Sequence, residues 1–240
     1  MSQLDLAIAA DTTARHVSFV ETGRSRPGMD LVLRIAEALR VPLPERNVLL
    51  TSAGFAPAFP AHELGSPAIE SVDRVLDAVL RGHEPYPAWV VRRPFTFVRA
   101  NAGAEALFPG LAGLPPEQLI DLWFGPGPFR EHVRNWAEVV QAGLAALRHD
   151  SADTADAEGI RLLKRAEALA RPLADLTRAP AGSAPVICPV FEFDRQIVRT
   201  ISAVMRFATA VEITTSELRV ELMFPADDDA AAYFQARAEP

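Results

Sequence analysis

The chain has 240 residues, 49% of them apolar, 8% aromatic and 23% charged, a balance that suits one large globular domain or two small ones and excludes disorder, collagen and coiled coil. Its formal net charge of -7 opposes adhesion of the whole chain to polyanions, so any nucleic-acid site must be a local patch of cations. The single cysteine, Cys188, excludes an internal disulfide, and the scattered histidines offer no ligand spacing for structural zinc. No metal and no cofactor is expected, and a reducing cytoplasm fits. No stretch approaches the roughly 18 apolar residues that cross a bilayer, and Met1-Ser2-Gln3-Leu4-Asp5 lacks the cationic start of a signal peptide. Neither membrane insertion nor export is expected.

From Ser2 to Ala56 the chain reads as short helices separated by turn residues, with no β-branched run at period two. Ser2-Gln3-Leu4-Asp5 has the spacing of a capping box, so a helix starts at residue 3. Asp11-Thr12-Thr13 breaks it, and a second helix runs from about Ala14 to Thr22 and stops at Gly23. Two short helices across a tight turn form a helix-turn-helix pattern. The second helix, led by Thr13, buries Val17 and Val20 and turns Arg15, His16 and Ser18 outward, where they can donate to base edges or phosphates in a major groove. Arg24 and Arg26 follow in a loop suited to gripping the phosphate backbone. Any one such arginine is most simply a solvated side chain; their placement together on this pattern favours DNA contact. The first 60 residues carry six arginines against six acids, which leaves the whole negative excess to the remainder.

Ser66-Pro67 marks a further helix start, and Ile69, Val72, Val75, Leu76, Val79 and Leu80 recur at helical spacing up to Gly82. The domain reading is therefore a head over 1–65, a connecting helix over 66–82 and a body over 83–240. In the body, Ala88-Trp89-Val90-Val91 and Phe95-Thr96-Phe97-Val98 flank Arg92-Arg93-Pro94 as a hairpin. A long helical stretch follows, interrupted by Gly125-Pro126-Gly127-Pro128 and by the polar segment 150–158. Strands return at Val186 to Phe193, Gln196 to Phe207 and Glu217 to Phe224, with Asp194-Arg195 as a turn. Helices, strand pair, helices and strand trio in that order predict an all-α head and an α+β body with a mostly antiparallel sheet.

Ser2-Gln-Leu-Asp-Leu-Ala, Arg15-His-Val-Ser-Phe-Val-Glu-Thr-Gly-Arg-Ser-Arg-Pro and Val32-Leu-Arg-Ile-Ala-Glu-Ala-Leu resemble the phage-repressor (Xre-type) helix-turn-helix. With Ala53-Gly-Phe-Ala-Pro-Ala, His83-Glu-Pro-Tyr-Pro-Ala, Ala100-Asn-Ala-Gly-Ala, Asn135-Trp-Ala-Glu-Val and Phe224-Pro-Ala-Asp, nearly the whole chain resembles the MmyB-like transcription regulators. The resemblance implies a DNA-binding head and a PAS-like body with a cavity for an apolar small molecule such as a long-chain fatty acid. It also implies that Gln3 touches a phosphate or a base. Two departures stand out. Family members have a further helix before the residues that match Ser2-Gln3, where only Met1 stands here; a start codon placed too late is the expected reason. Asp11 and Thr12 replace a glycine and an apolar residue, and Asp11 adds negative charge near the phosphate position.

In the strand at 197–207 the odd positions, Ile197, Arg199, Ile201, Ala203, Met205 and Phe207, share the more apolar face. Arg199 is thereby placed with core-facing residues, and a buried cation needs a negative partner. Either an internal carboxylate or the wet end of the strand meets that need, or Arg199 receives the carboxylate of a bound acid. Trp89, Phe97, Trp123, Phe124, Trp136, Phe191 and Phe193, with Ile201 and Phe207, are candidates to line a cavity, although each alone is more simply core. The chain has no Gly-rich phosphate loop and no nucleophile motif, and Cys188 lies in an apolar strand, so catalysis is not expected. The reading is a cytoplasmic, homodimeric regulator of transcription that binds double-stranded DNA and answers to an apolar ligand. The alternative is a dimerising ligand-binding protein whose incomplete head no longer binds DNA.

Overall fold

A computed structural model describes residues 1–152, 157–173, 186–193 and 195–238. They form two units: Met1–Glu63 together with Thr209–Ser216, and a second containing Leu64–Ala152 and Glu217 onward.

In the first unit, α1 (Gln3–Ala9), α2 (Ala14–Glu21), α3 (Met29–Ala38) and α4 (Leu43–Ser52) follow in sequence. The capping box closes as expected: Asp5 N donates to the Ser2 hydroxyl and Ser2 N to the Asp5 carboxylate. Donation from the Ser2 hydroxyl at 2.7 Å and from the Ser2 backbone N–H holds the exposed Asp5 carboxyl below the usual carboxylate range. Leu6, Ala7 and Val17 pack with Ala14, Ile35 and Ala38 as a small core. Arg34 Nε donates to the carbonyl of Ala10 at 2.9 Å and fastens α3 to the end of α1. Leu4 and Ile8 lie one turn apart on the exposed side of α1.

The second unit begins with a 3-10 turn, Pro67–Ile69, and α5 (Glu70–Gly82). Then come β1 (Ala88–Arg92), β2 (Thr96–Ala100), α6 (Ala102–Leu107), α7 (Pro116–Phe124), α8 (Pro128–His132), α9 (Trp136–Ala152) and α10 (Ala157–Ala170). β3 (Val190–Phe193), β4 (Gln196–Arg206), β5 (Leu218–Pro225) and α12 (Asp228–Ala238) complete the order, with the short α11 (Ile213–Glu217) of the β4–β5 connection lying almost wholly in the first unit. The five strands make one antiparallel sheet in the order β2-β1-β5-β4-β3. This is the α+β, PAS-like body the sequence predicts, with the hairpin at Arg92↔Thr96 as expected. Residues 186–189 precede β3 instead of belonging to it, and the proposed turn residue Asp194 lies outside the described residues.

Both faces of the central strands are covered. Trp89, Val91, Phe97, Val198 and Met223 meet α7, α9 and α10 through Leu119, Ile120, Phe124, Val140, Leu144 and Leu162. On the opposite face Ala88, Val90, Leu218 and Val220 meet Leu76 and Leu80 of α5. The segment read from sequence as a connecting helix therefore covers one side of the sheet. Its Asp73 and Asp77 also pair with Arg99 of β2.

Asn101 joins three of these elements. Its Oδ1 accepts from Ala104 N, capping α6, and from Ala88 N, both at 2.9 Å. Its Nδ2 donates to the carbonyls of Tyr86 at 2.8 Å and Leu80 at 3.3 Å. The residue is only 6% exposed, so water cannot replace these partners. Asn101→Ala is expected to lose the cap and strand buried backbone groups, at a cost on the order of 3 kcal/mol. Urea denaturation is the check: a stability within about 0.5 kcal/mol of wild type, the range of surface substitutions, would refute this role.

Candidate nucleic-acid interface and ligand cleft

The turn between α1 and α2 is built from Ala10 to Thr13. Asp11 occupies it with φ 48, a left-handed conformation that aspartate tolerates. Thr13 caps α2 by accepting from His16 N at 3.1 Å, and Gly23 ends the helix region at φ +71. α2 buries Val17, as predicted, and half-buries Val20.

Arg15 is exposed, with its guanidinium carbon 5.1 Å from the centre of the Phe19 ring one turn along. The ring limits the wandering of the arginine and presents it from the face of the helix. His16 and Ser18 are half-buried beside it, and the His16 ring meets the Thr12 hydroxyl at 3.3 Å. Arg24 and Arg26 are exposed in the loop that follows. Gln3 is exposed, but its side-chain amide donates to Glu21 at 2.6 Å and so ties the start of α1 to the end of α2. The structure therefore brings Thr13, Arg15, His16 and Ser18 onto one short helix, Thr13 as its cap, and gives Gln3 an internal partner.

In the body, seven of the aromatic candidates form one cluster, and Arg199, Ile201 and Phe207 do not join it. Trp89, Phe97, Phe124, Trp136 and Phe191 are each at most 5% exposed, with Trp123 and Phe193 packed against them. Trp123 stacks on Phe129 with ring centres 4.0 Å apart, and Trp136 Nε1 donates to the Trp123 carbonyl. The Trp89 indole N–H is buried without an acceptor among the described residues.

The placement of Arg199 in the core is corrected. Its side chain is 54% exposed and pairs with Asp227 at 3.3 Å. Near the start of β4 the even residues Val198 and Thr200 are the buried ones. Burial alternates only as far as Thr200, since residues 201–204 are all exposed; on the odd face Ile201, Ala203 and Met205 stand opposite Phe224, Leu222 and Val220 of β5. Met205 and Phe207 pack with the α5 cluster, while Ile201 is 43% exposed. The arginine that does lie between the sheet and the helices is Arg219. Only 11% exposed, it is held by Asp150 at 3.2 Å and Glu221 at 3.0 Å.

A cleft of about 500 Å³ opens elsewhere in the body, lined by Glu84, Pro85, Ala102, Gly103, Ala106, Leu107, Phe234 and Arg237. Glu84 accepts from Ala102 N and Gly103 N at 2.7 and 3.0 Å. Gly103 permits this approach, since a Cβ there would lie 2.3 Å from the Pro85 carbonyl oxygen. Arg237 lies 3.7 Å over the Tyr233 ring. α12, which supplies Phe234 and Arg237, was not anticipated. Its signal was present: Ala230, Tyr233 and Phe234 at helical spacing after Asp227, whose carboxylate accepts from Ala230 N at 2.9 Å. The cleft has no counterpart in the sequence pattern, because its lining comes from α12 and from residues near 84 and 102–107.

A capped helix-turn-helix followed by an α+β body with a cleft defines a DNA-binding regulator with a ligand-binding domain. Residues 1–46 match the helix-turn-helix family model, and residues 72–236 match the MmyB-like transcription regulator ligand binding domain. The chain belongs to the MmyB-like transcription regulators. The comparison with curated proteins gave no match.

Proposed function

We propose that the protein is a cytoplasmic, homodimeric transcription regulator that reads DNA with α2 and is controlled by an acidic amphiphile held in its body. The observation that carries the DNA reading is the exposed Arg15, steadied on Phe19 of a capped second helix. Arg15 addresses base edges beside His16 and Ser18; Arg24 and Arg26 grip phosphates, and Thr13 orients the helix. Gln3 contributes by holding Glu21 away from the approaching phosphates. Arg15→Ala is expected to weaken operator binding by about 1–3 kcal/mol and relax its specificity. Arg24→Ala or Arg26→Ala weakens binding to every sequence and lowers the salt slope by about 1. Fluorescence titration against the protein's own promoter at several salt concentrations reads both effects. Absence of any DNA binding would favour a ligand-binding interaction protein instead.

Two heads reading half-sites about 34 Å apart require a dimer. Ile201 and Phe224 oppose each other across β4 and β5 and are 43% and 39% exposed, an apolar patch that suits a second copy of the chain. Light scattering is expected to show a dimer for wild type and a monomer for Ile201→Glu. A monomeric wild type, with and without DNA, would remove this part of the reading.

The ligand reading rests on the cleft, whose volume lies within the range of small-molecule sites. An acyl chain against Pro85, Ala106, Leu107 and Phe234 gains about 0.8 kcal/mol per buried methylene. Its carboxylate meets Arg237, a role for which Arg199 was one of the readings open in the sequence, and the aromatic cluster backs the site. Thermal shift with acids of about 12 to 18 carbons is expected to raise the melting temperature, and Arg237→Leu to weaken the acid more than its methyl ester. Weakening by Arg199→Leu alone would move the carboxylate to Arg199. No shift with any acid would sink the amphiphile reading.

A further inference from the structure

Glu212 stands in the connection between β4 and β5, is 8% exposed, and belongs to the first unit. Its Oε1 accepts from His62 N at 2.7 Å and from Thr214 N at 3.0 Å, and its Oε2 from Thr215 N at 2.7 Å. Burial pushes the carboxyl upward, but the donations from Thr215, His62 and Thr214 outweigh it and hold the group below the usual carboxylate range. The bonds from Thr214 and Thr215 are those of an ordinary helix cap. The bond from His62 is not, because it comes from the segment that ends the head.

Two more bonds join the same segments. Ile213 N donates to the Pro60 carbonyl at 2.9 Å, and the Thr214 hydroxyl donates to the His62 carbonyl at 2.6 Å. Three hydrogen bonds thus fasten residues 60–62 to residues 212–214, and the strongest in kind is the charge-assisted one at Glu212. The connection is covalently continuous with β4 and β5. Those strands carry buried side chains of both clusters, Val198 and Met223 on one face, Leu218 and Val220 on the other.

We propose that Glu212 is a coupling latch: its carboxylate ties the end of the DNA-binding head to the β4–β5 connection, so that displacement of those strands is passed to the head. The proposal rests on the regulator reading above. Coupling of this kind needs one element whose position both sites bias, and the fastened pair 60–62 and 212–214 is such an element. Glu212→Gln keeps an acceptor and loses the charge; Glu212→Ala loses both.

The test uses the full chain, its promoter DNA and hexadecanoic acid. Amide hydrogen exchange at His62 is expected to quicken about tenfold in Glu212→Ala and less in Glu212→Gln. Affinity for the acid stays within about twofold of wild type, while the change in promoter affinity that the acid causes in wild type shrinks below about twofold. Thr214→Val, which breaks the hydroxyl bond and keeps the carboxylate, gives a smaller release in the same direction should Glu212→Ala fail to fold. A full response to the acid in these variants, or unaltered exchange at His62, overturns the latch. A wild type whose promoter affinity ignores the acid instead overturns the ligand-controlled reading, and the coupling falls with it.

Discussion

The body depends on burying both faces of β1 and β5. A strand covered on one side only can alternate apolar and polar residues; one covered on both must be apolar throughout or satisfy its polar groups internally. β1 takes the first course, with Ala88, Trp89, Val90 and Val91 all at most 4% exposed. β5 takes the second, since Arg219 and Glu221 lie on the helix side of the sheet and Arg219 is held by both Glu221 and Asp150. A buried pair of this kind contributes little net stability, but removal of one partner leaves a charge that the interior cannot solvate. The position of α9, which supplies Asp150, is therefore tied to the register of β5.

Polar side chains elsewhere serve mainly to organise backbone. Asn47 accepts from Ala58 N and Phe59 N and donates to the Phe59 carbonyl, closing the chain after α4. Asn101 does the same between α5, β1 and α6. Asn135 accepts from Val190 N and donates to the Cys188 carbonyl, anchoring the approach to β3. Each amide offers a donor and an acceptor in fixed geometry, so one side chain can satisfy two strands of irregular chain that would otherwise be buried unpaired. Glu212 follows the same logic with a charge. By contrast, the ion pairs Arg165–Asp121, Arg148–Glu167 and Arg161–Glu117, which cross between α7, α9 and α10, are exposed and add orientation more than energy.

The surface chemistry of the head follows from local constraints as well. Thr13 serves as a cap, Gln3 as a brace on Glu21 and Phe19 as a platform for Arg15. These roles limit the conformations of a short, exposed helix that would be marginal by itself. Asp11 takes the turn conformation that a glycine would otherwise supply, two residues before the Thr13 cap of α2.

Local rules were sufficient for much of this chain. The capping box at Ser2, the extent of α2, the hairpin at 88–100 and the period-two alternation of β5 and of the start of β4 each depend on residues close together in the chain. Alternation, however, says only that odd and even residues part company; which side is covered depends on what packs there, and that reversed the placement of Arg199 and Ile201. The buried arginine proved to be Arg219, because both faces of β5 are covered and no sequence pattern announces the second cover. The cleft, the hold of Glu212 on His62 and the partnership of Arg199 with Asp227 each join residues at least 18 positions apart. Such contacts are set by the path of the whole chain, and no window of local sequence contains both partners.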